Sequence, residues 1–267
     1  MNFKKFCVTA LLTLAAIPLI SNAAEFNISD TFADNLRSGG SGPEMIVIPD
    51  GQFVLGGGRA GENGMGVVKI QYLLAVGTTE VTNAQYRHFL ESGLSGNLRK
   101  FPKGNDTLPL KGVTFDEAEA FVDWLSRQTG HYYRLPSASE WEYAARAGSS
   151  GAYSWGNDAG ENRANCTDCG TELSGSAMPV GSYPANKWGL YDMHGNVWEW
   201  TKDCIDSNAA PPPNGMPALM GSCNIREIRG GSSKGDAWSI RASARASAVK
   251  TSKINDLGFR VVMDLPK

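Results

Sequence analysis

Three segments of the chain carry apolar residues at helical spacing, and each is preceded by the same polar signature. Thr82, Thr114 and Ser137 are each followed three residues later by Gln or Glu, which is the spacing of a capping box at a helix N-terminus. Apolar residues recur at i, i+3, i+4 and i+7 within the segment after Thr114, and Gly130 supplies an end signal there. The pattern predicts three helices, each starting directly after its capping residue.

Short apolar runs between turn residues predict the strands. Residues 45–55 alternate around a turn at Pro49-Asp50-Gly51, which is typical of a β-hairpin. Residues 67–79, 225–228 and 257–263 are also strand-like. Much of the remaining chain is rich in glycine and other turn residues. The sequence therefore predicts a loop-rich α+β domain with a few helices and short antiparallel strands.

The first residues have the pattern of an export signal. Two lysines precede an apolar run at 6–20, and Ser21-Asn22-Ala23 offers the small residues that a signal peptidase reads. We expect residues 1–23 to be a signal peptide, residues 24–41 a flexible polar lead-in, and residues 42–267 the folded domain. The mature protein is then expected in the periplasm, without membrane association once the signal is cleaved.

Four cysteines remain after the signal segment: Cys166, Cys169, Cys204 and Cys223. An even number in an exported chain favours disulfides, and four cysteines allow three connectivities. Proximity in the chain favours Cys166–Cys169 and Cys204–Cys223. A zinc site and a redox-active Cys-x-x-Cys are the alternatives, but the spacing between the two pairs is unlike that of a zinc finger or ribbon.

Charge narrows the possible partners. The formal net charge is −2 and only 19% of residues are charged, which gives no electrostatic case for nucleic-acid binding.

One charged group stands out, formed by Arg134, Glu140, Glu142 and Arg146. It could be a catalytic charge cluster, but we interpret it as a structural ion-pair network that locks the third helix to the core.

The segment from Lys187 to Asp203 combines aromatic and acidic residues. It contains three tryptophans, which bury large areas and so indicate a core position. Asp192 and Glu199 lie among them, and a buried carboxylate is costly unless it is paired or bound to a metal. Gly195 and Asn196 suit a tight turn between the two carboxylates. The arrangement predicts an oxygen-ligand site for a hard cation, with hydrogen bonds to backbone amides or an arginine as the alternative.

Residues 189–200, Gly-Leu-Tyr-Asp-Met-His-Gly-Asn-Val-Trp-Glu-Trp, resemble the central motif of the formylglycine-generating enzyme, or sulfatase-modifying factor, superfamily. Three further segments resemble motifs of that family in the same order: residues 134–146, 229–232 (Arg-Gly-Gly-Ser) and 257–261 (Leu-Gly-Phe-Arg-Val). Together they cover nearly the whole mature chain. The resemblance implies a C-type-lectin-like variant of the α+β class.

The resemblance also implies calcium. One family site would match Asp192 and Glu199 by side chain, with Gly195 and Val197 contributing carbonyl oxygens. A second family site would begin at Asn165 and Cys166, and its nearest acidic candidate is Glu172. We therefore expect calcium as a structural ion.

Copper and iron are not expected. Formylglycine-generating enzymes bind copper through two cysteines after the Arg-Gly-Gly-Ser turn, and those positions here hold Gly235 and Ile240. Relatives that bind iron use histidines, but His88, His131 and His194 are scattered without a ligand spacing. An authentic formylglycine-generating oxidase is therefore disfavoured.

The superfamily also has an exported single-domain branch, and one of its members matures the chromophore of a siderophore in the periplasm. In this chain the corresponding pocket segment would run from Ser232 to Arg245. Asp236 could serve as a base, Trp238 as a stacking wall and Arg241 as a partner for an anionic group, although all three could equally be structural.

Two functions remain open at this point. The first is a periplasmic tailoring enzyme that oxidises or otherwise modifies a peptide or a peptide-derived metabolite. The second is a non-catalytic, calcium-stabilised lectin-like module that binds a peptide or a small molecule, because a fold does not by itself determine function.

Overall fold

The computed structural model describes residues 26–57, 64–92, 105–170, 175–205 and 211–265. The predicted signal peptide and Glu172 lie outside these ranges. The helices are α1 (Asn83–Glu91), α2 (Phe115–Thr129) and α3 (Ala138–Arg146). The strands are β1 (Thr31–Phe32), β2 (Met45–Ile48), β3 (Gly51–Leu55), β4 (Gly66–Ile70), β5 (Leu74–Gly77), β6 (Tyr133–Arg134), β7 (Trp198–Ile205), β8 (Ser222–Arg229), β9 (Ala246–Val249), β10 (Leu257–Gly258) and β11 (Val262–Asp264).

All three predicted helices are confirmed, together with their capping boxes. In each helix, the hydroxyl of the N-cap residue (Thr82, Thr114 or Ser137) accepts from the backbone N–H of the residue three positions later. The Gln or Glu side chain of that later residue accepts in turn from the backbone N–H of the N-cap residue. Helix α2 ends where predicted, because Gly130 adopts the left-handed conformation at φ 83°. The α+β class predicted from the sequence is the class observed.

The predicted hairpin over residues 45–55 is wrong. Strands β2 and β3 are both present, but β2 pairs with β1 and β5 in a five-stranded sheet of order β1-β2-β5-β11-β6, while β3 pairs with β4 in a separate ribbon. All four residues of β2 are buried, whereas β3 alternates between buried and more exposed positions. The turn at 49–51 therefore passes the chain from one sheet to another.

The lead-in was predicted to be flexible, and for residues 26–41 this was wrong. Strand β1 pairs antiparallel with β2, joining Thr31 to Ile46 and Phe32 to Met45. Phe26 packs on Phe32 with ring centroids 5.0 Å apart. The segment is polar on average, but its two phenylalanines pack against the hydrophobic core. The folded domain therefore begins before residue 42, the boundary predicted from the sequence.

The second sheet carries the aromatic motif. Its order is β10-β7-β8-β9, with β10 parallel to β7 and the other pairs antiparallel. The predicted strand at 257–263 is divided between the two sheets, since β10 joins β7 and β11 joins β5 and β6. The chain between β10 and β11 therefore crosses the centre of the domain, and it carries Arg260 there.

The larger apolar core packs α1 and α2 against both sheets. Its aromatic centre contains Phe121, which lies within 6.0 Å of Tyr86, Phe89, Trp124 and Phe259 by ring centroid. A second core lies under α3 around Trp141. A third, smaller cluster is built on Cys166, Cys169 and Ile240.

Both expected disulfides are formed, Cys166–Cys169 and Cys204–Cys223. Within the described ranges, no helix is both long enough and apolar enough to cross a membrane.

Candidate functional site

A left-handed turn at the start of the aromatic motif brings three loops together. Asp192, Gly195 and Asn196 all have positive φ, at 57°, 97° and 64°. Glycine is required at 195, because a Cβ atom there would lie 2.3 Å from the Asn165 carbonyl oxygen. Asp and Asn tolerate the left-handed region better than other residues with side chains. The turn thus aims the Asp192 and Asn196 side chains into the domain, where both are buried.

Asn196 joins the loops around this turn. Its backbone N–H donates to the Asn165 carbonyl at 3.0 Å, and its carbonyl accepts from the Ser233 N–H at 2.9 Å. Its amide oxygen accepts from the Met178 N–H and from Asn165 Nδ2. Its amide nitrogen donates to Glu80 Oε1 at 2.9 Å. One residue, through its backbone and its side chain, therefore ties the motif to four other parts of the chain.

Glu199 is held by an arginine. Arg260 makes three contacts with the carboxylate, at 2.7–3.0 Å, and the indole Nε1 of Trp141 donates to it at 2.7 Å. The carboxylate thus accepts from three N–H groups, Nε and Nη2 of Arg260 and Nε1 of Trp141. Glu199 and Arg260 are both fully buried. Glu199 thus has the arginine partner that the sequence had left open as the alternative, and its role as a calcium ligand stays a prediction.

Asp192 stands beside a carboxylate that sequence reasoning missed. Glu80 is fully buried, and its carboxyl interacts electrostatically with the buried carboxyl of Asp192. Burial and the neighbouring Asp192 charge raise the pKa of Glu80 well above its ordinary range, and burial also raises the pKa of Asp192. The sequence signal was present in Thr-Thr-Glu-Val-Thr, where a lone acid precedes a helix cap in an apolar stretch.

The other predicted calcium ligands lie near this pair. Asn165 pairs with Gly195 in an isolated parallel bridge, and its side-chain nitrogen donates to the Ser176 carbonyl at 2.9 Å. Val197 is buried and directly precedes β7. The turn with Asp192 from the first expected site and Asn165 from the second thus lie in one place, and Glu199 of the first site is paired with Arg260.

The two positions that hold the copper-binding cysteines in the family are occupied here by a buried isoleucine and a glycine in a crowded turn. Ile240 is fully buried, and its carbonyl is bonded by His194 Nδ1 at 2.8 Å. A Cβ atom at Gly235 would lie 2.2 Å from Ser239 Oγ, so a larger residue would require Ser239 to move. His194 is buried, which lowers its pKa to about 4 and keeps the ring neutral.

The first disulfide loop packs directly on this segment. The Thr167 N–H donates to the Gly235 carbonyl at 2.8 Å, and Asp168 Oδ1 accepts from the Ala237 N–H at 2.6 Å. The Cys166 and Cys169 sulfurs form the bridge and lie in the same small core as Ile240. The cysteines therefore fix the family's reactive segment in place, and neither sulfur is available as a thiolate.

The three residues expected to act in catalysis lie on the surface of that segment. Asp236 is exposed, and its Oδ1 accepts from the Ser239 N–H at 2.9 Å. Trp238 is 52% exposed, and the Arg241 guanidinium lies 3.6 Å from its ring centroid. None of the three lines the cavities of about 310, 230 and 170 Å³ that the structure contains elsewhere. Their catalytic role remains a prediction.

A serine–aspartate contact lies between the Arg-Gly-Gly-Ser turn and β10. Ser232 Oγ donates to Asp256 Oδ2 at 2.7 Å, and the Asp256 carbonyl accepts from the Trp198 N–H. Ser232 is buried, while Asp256 is partly exposed. Sequence reasoning placed Ser232 at the edge of the pocket segment but did not identify Asp256, which precedes the Leu-Gly-Phe-Arg-Val motif.

The charged group on α3 forms a structural network, as interpreted from the sequence. Arg134 binds both oxygens of Glu140 at 2.7 Å. Glu142 accepts from Arg146 and, at 3.0 Å, from the buried Arg229 of the Arg-Gly-Gly-Ser turn. The network therefore sets the position of the turn that leads into the pocket segment.

Residues 31–265 match the family described as the sulfatase-modifying factor enzyme 1-like domain. The inactive C-alpha-formylglycine-generating enzyme 2 of Mus musculus is 29% identical to this chain, covering 82% of the chain and 85% of the relative. The formylglycine-generating enzyme of Streptomyces coelicolor is 35% identical, covering 60% of the chain and 54% of the relative. The chain thus spans about half the length of that relative.

Solved structures have the same fold. The structure of PvdO from Pseudomonas aeruginosa superposes with a TM-score of 0.78 at 28% identity, covering 90% of this chain and 100% of PvdO. Treponema denticola variable protein 1 superposes with a TM-score of 0.71 at 23% identity, covering 88% of this chain and 99% of that protein. The fold is the C-type-lectin-like fold expected from the four motifs, and the chain belongs to the sulfatase-modifying factor family.

Proposed function

We propose that this chain is an exported, periplasmic binding protein that holds a peptide or a small aromatic molecule against Trp238 and does not use the copper chemistry of its family. The observation that carries the proposal is the half-exposed indole of Trp238, backed by the guanidinium of Arg241 at 3.6 Å. The export signal and the two disulfides support an oxidising compartment.

Arg241 fixes the orientation of the indole. Only 8% of Arg241 is exposed, and its Nε donates to the Trp238 carbonyl at 3.1 Å. A guanidinium on an aromatic face contributes about 0.5–1 kcal/mol at an exposed site. A ring that is already held in place loses little freedom when a ligand stacks on it, and tryptophan is enriched among the residues that dominate binding energy. The arrangement suits a ligand with an aromatic or other flat group.

Asp236 is better suited to positioning than to proton transfer. It is exposed, and its carboxylate closes the turn at Ser239 through a bond of 2.9 Å. A general base must reach the proton that it removes, and a base tuned for catalysis usually lies in a water-poor cleft. The surroundings of Asp236 therefore favour the binding module over the tailoring enzyme.

The proposal can be tested with pairs of short peptides that differ by one aromatic side chain. We expect saturable binding of the aromatic member, measured by calorimetry, and a loss of at least about tenfold in affinity, about 1.4 kcal/mol, in Trp238→Ala. Tyr132→Ala is the matched control, because Tyr132 is another aromatic residue with 63% exposure. Equal binding by wild type and Trp238→Ala, or no saturable binding of any peptide, would contradict the proposal.

The second candidate is the tailoring enzyme, and the Ser232–Asp256 contact favours it. A buried hydroxyl that donates to a carboxylate at 2.7 Å has the geometry of a nucleophile and its base. This candidate predicts that incubation with a peptide panel changes the mass of one peptide, and that Ser232→Ala abolishes the change while Ser252→Ala does not.

A further inference from the structure

A guanidinium lies directly beside one of the two disulfides. Arg226 Nη1 is 3.1 Å from the sulfur of Cys204, which is bridged to Cys223 across strands β7 and β8. The same nitrogen donates to the Lys202 carbonyl at 2.7 Å, and the guanidinium carbon lies 4.2 Å from the ring centroid of Phe115. These two contacts hold the cation against the sulfur.

The charge of Arg226 has no anionic partner in direct contact. It forms no ion pair with any described residue, and its buried Nε has no hydrogen-bond acceptor among them. Burial lowers the pKa of Arg226, while Glu119, Asp116 and Asp203 act on it from beyond ion-pair distance. A partly buried cation without a direct anion is costly, and a thiolate on Cys204 would supply that anion. Cleavage of the disulfide therefore creates an ion pair that the oxidised protein lacks.

The other disulfide has the opposite surroundings. A carboxylate oxygen of Asp168 lies 3.2 Å from the sulfur of Cys166, and an anion at this distance opposes the formation of a thiolate there. Cys166 and its partner Cys169 are both fully buried, so neither sulfur is open to attack from solution. This bridge serves as an internal reference for a structural disulfide.

The two sulfurs beside Arg226 differ in accessibility. Cys204 is buried, whereas Cys223 is partly exposed and has an exposed residue on either side. A thiolate from solution can therefore approach the sulfur of Cys223. The leaving sulfur is then that of Cys204, and a leaving thiol departs faster when its pKa is lowered, as a neighbouring arginine lowers it.

We propose that Cys204–Cys223 is a redox-active disulfide that oxidises a dithiol, with Cys223 as the attacked sulfur and Cys204 as the leaving thiolate held by Arg226. The first thiolate of the dithiol forms a mixed disulfide with Cys223 and breaks the bond to Cys204. The second thiol loses its proton to solvent and attacks the dithiol's sulfur in the mixed disulfide, which releases Cys223 as a thiolate that takes up a proton. The dithiol loses two electrons and the protein bridge gains them. The inference is independent of ligand binding at Trp238.

The first test places the mature protein in glutathione buffers of increasing reduction and locates free thiols by alkylation and peptide mapping. The Cys204–Cys223 bridge is expected to open at a ratio of oxidised to reduced glutathione at least about tenfold higher than the Cys166–Cys169 bridge. A glutathione adduct trapped during reduction is expected on Cys223, with the alkyl label on Cys204. Opening of both bridges at the same ratio, or an adduct on Cys204, overturns the proposal.

Arg226→Gln separates the electrostatic role from a structural one, because it removes the charge but keeps a donor for the Lys202 carbonyl. It is expected to slow reduction by glutathione at least about tenfold and, in a Cys223→Ser background, to raise the pKa of the Cys204 thiol, measured by the ultraviolet absorbance of the thiolate. Arg226→Lys keeps the charge and is expected to retain most of the rate. Lys202→Gln is the matched control, since the Lys202 ammonium is paired with Glu119 and its loss should change the rate by less than about twofold.

An unchanged rate of reduction together with an unchanged pKa of Cys204 in Arg226→Gln overturns the proposal, because the guanidinium then has only a structural role. So does an equal slowing by Lys202→Gln, which would mean that the sulfur responds to net charge alone. If Arg226→Gln does not fold, the comparison of the two bridges in the wild type and the position of the glutathione adduct decide the question.

Discussion

Arg260 and Glu199 meet at the centre of the domain, where the guanidinium contacts the carboxylate three times and neither side chain is exposed to solvent. The pair joins the loop between β10 and β11 to the start of strand β7. Arg260 also donates to the carbonyls of Gly77 and Tyr191 at 3.0 Å. A single arginine thus connects both sheets and the aromatic motif.

Breaking this pair from one side should be costly. Arg260→Met leaves a buried, uncompensated Glu199, and the expected loss in the free energy of unfolding is about 3–5 kcal/mol. The double variant Arg260→Met/Glu199→Leu should lose less than the sum of the two single variants, because no charge is then left unpaired. Urea denaturation of the four proteins measures the coupling. Additive losses would show that the two side chains contribute independently.

The two disulfides should contribute unequally. Cys204 and Cys223 are 19 residues apart, while Cys166 and Cys169 are three apart. In the chain-entropy model, removal costs about 3 kcal/mol for the longer loop and about 2 kcal/mol for the shorter one. The paired Cys→Ser variants, compared by urea denaturation, measure the difference. Thiol titration of denatured wild type should find no free thiol among these four cysteines.

Much of the architecture was accessible from the sequence because it is encoded locally. The capping boxes at Thr82, Thr114 and Ser137 combine a hydroxyl and a carboxamide or carboxylate three residues apart, which needs no tertiary information. Strand pairing is not local in this way. The run from Met45 to Leu55 contains two strands, as its alternation predicts. One strand pairs with β5 and the other with β4, and the hydrophobic pattern of a strand does not determine which strand it pairs with.

The candidate site was accessible only in part for a similar reason. The turn at Asp192 to Asn196 was visible from its glycine and its carboxylates. The partner of each carboxylate was not, because Arg260 is 61 residues from Glu199 and Glu80 is 116 residues from Asn196. The resemblance supplied a ligand set that included Glu199, and only the geometry shows that Arg260 and Trp141 donate to this carboxylate.

The family's oxidase activity should be absent. Gly235 and Ile240 offer no thiolate, and a Cβ at 235 would lie 2.2 Å from Ser239 Oγ. We expect no conversion of a sulfatase-type Cys-x-Pro-x-Arg peptide by mass spectrometry, with or without added copper. The formylglycine-generating enzyme of Streptomyces coelicolor serves as the positive control. Copper-dependent conversion by the wild type would show that other residues replace the cysteine pair.

Asp203 should make stability fall as the pH rises. Burial raises its pKa from 3.8 to about 6. Because the folded state then holds a proton that the unfolded state has released, the free energy of unfolding from this group decreases between about pH 4 and pH 6. Asp203→Asn should remove this slope, at the cost of one of the bonds from the Ala138 and Ala218 N–H groups. Urea denaturation at several pH values measures this pH dependence of the free energy of unfolding, with Asp116→Asn, at an exposed position, as the control.

Asn196→Asp tests whether the loops around the turn depend on one amide. The substitution is nearly isosteric, and aspartate tolerates the left-handed φ of 64° almost as well as asparagine. It replaces the donor that Glu80 Oε1 receives at 2.9 Å with a third acceptor beside Glu80 and Asp192. Removing one partner of a buried, charge-assisted hydrogen bond and adding a like charge should cost about 3 kcal/mol or more in the free energy of unfolding.

Asn162→Asp is the matched control, because Asn162 has a φ of 55° but is exposed. The control should lie within about 0.5 kcal/mol of wild type. Equal effects at the two positions would mean that Asn196 contributes through its backbone conformation alone, and the amide would lose its role in joining the loops.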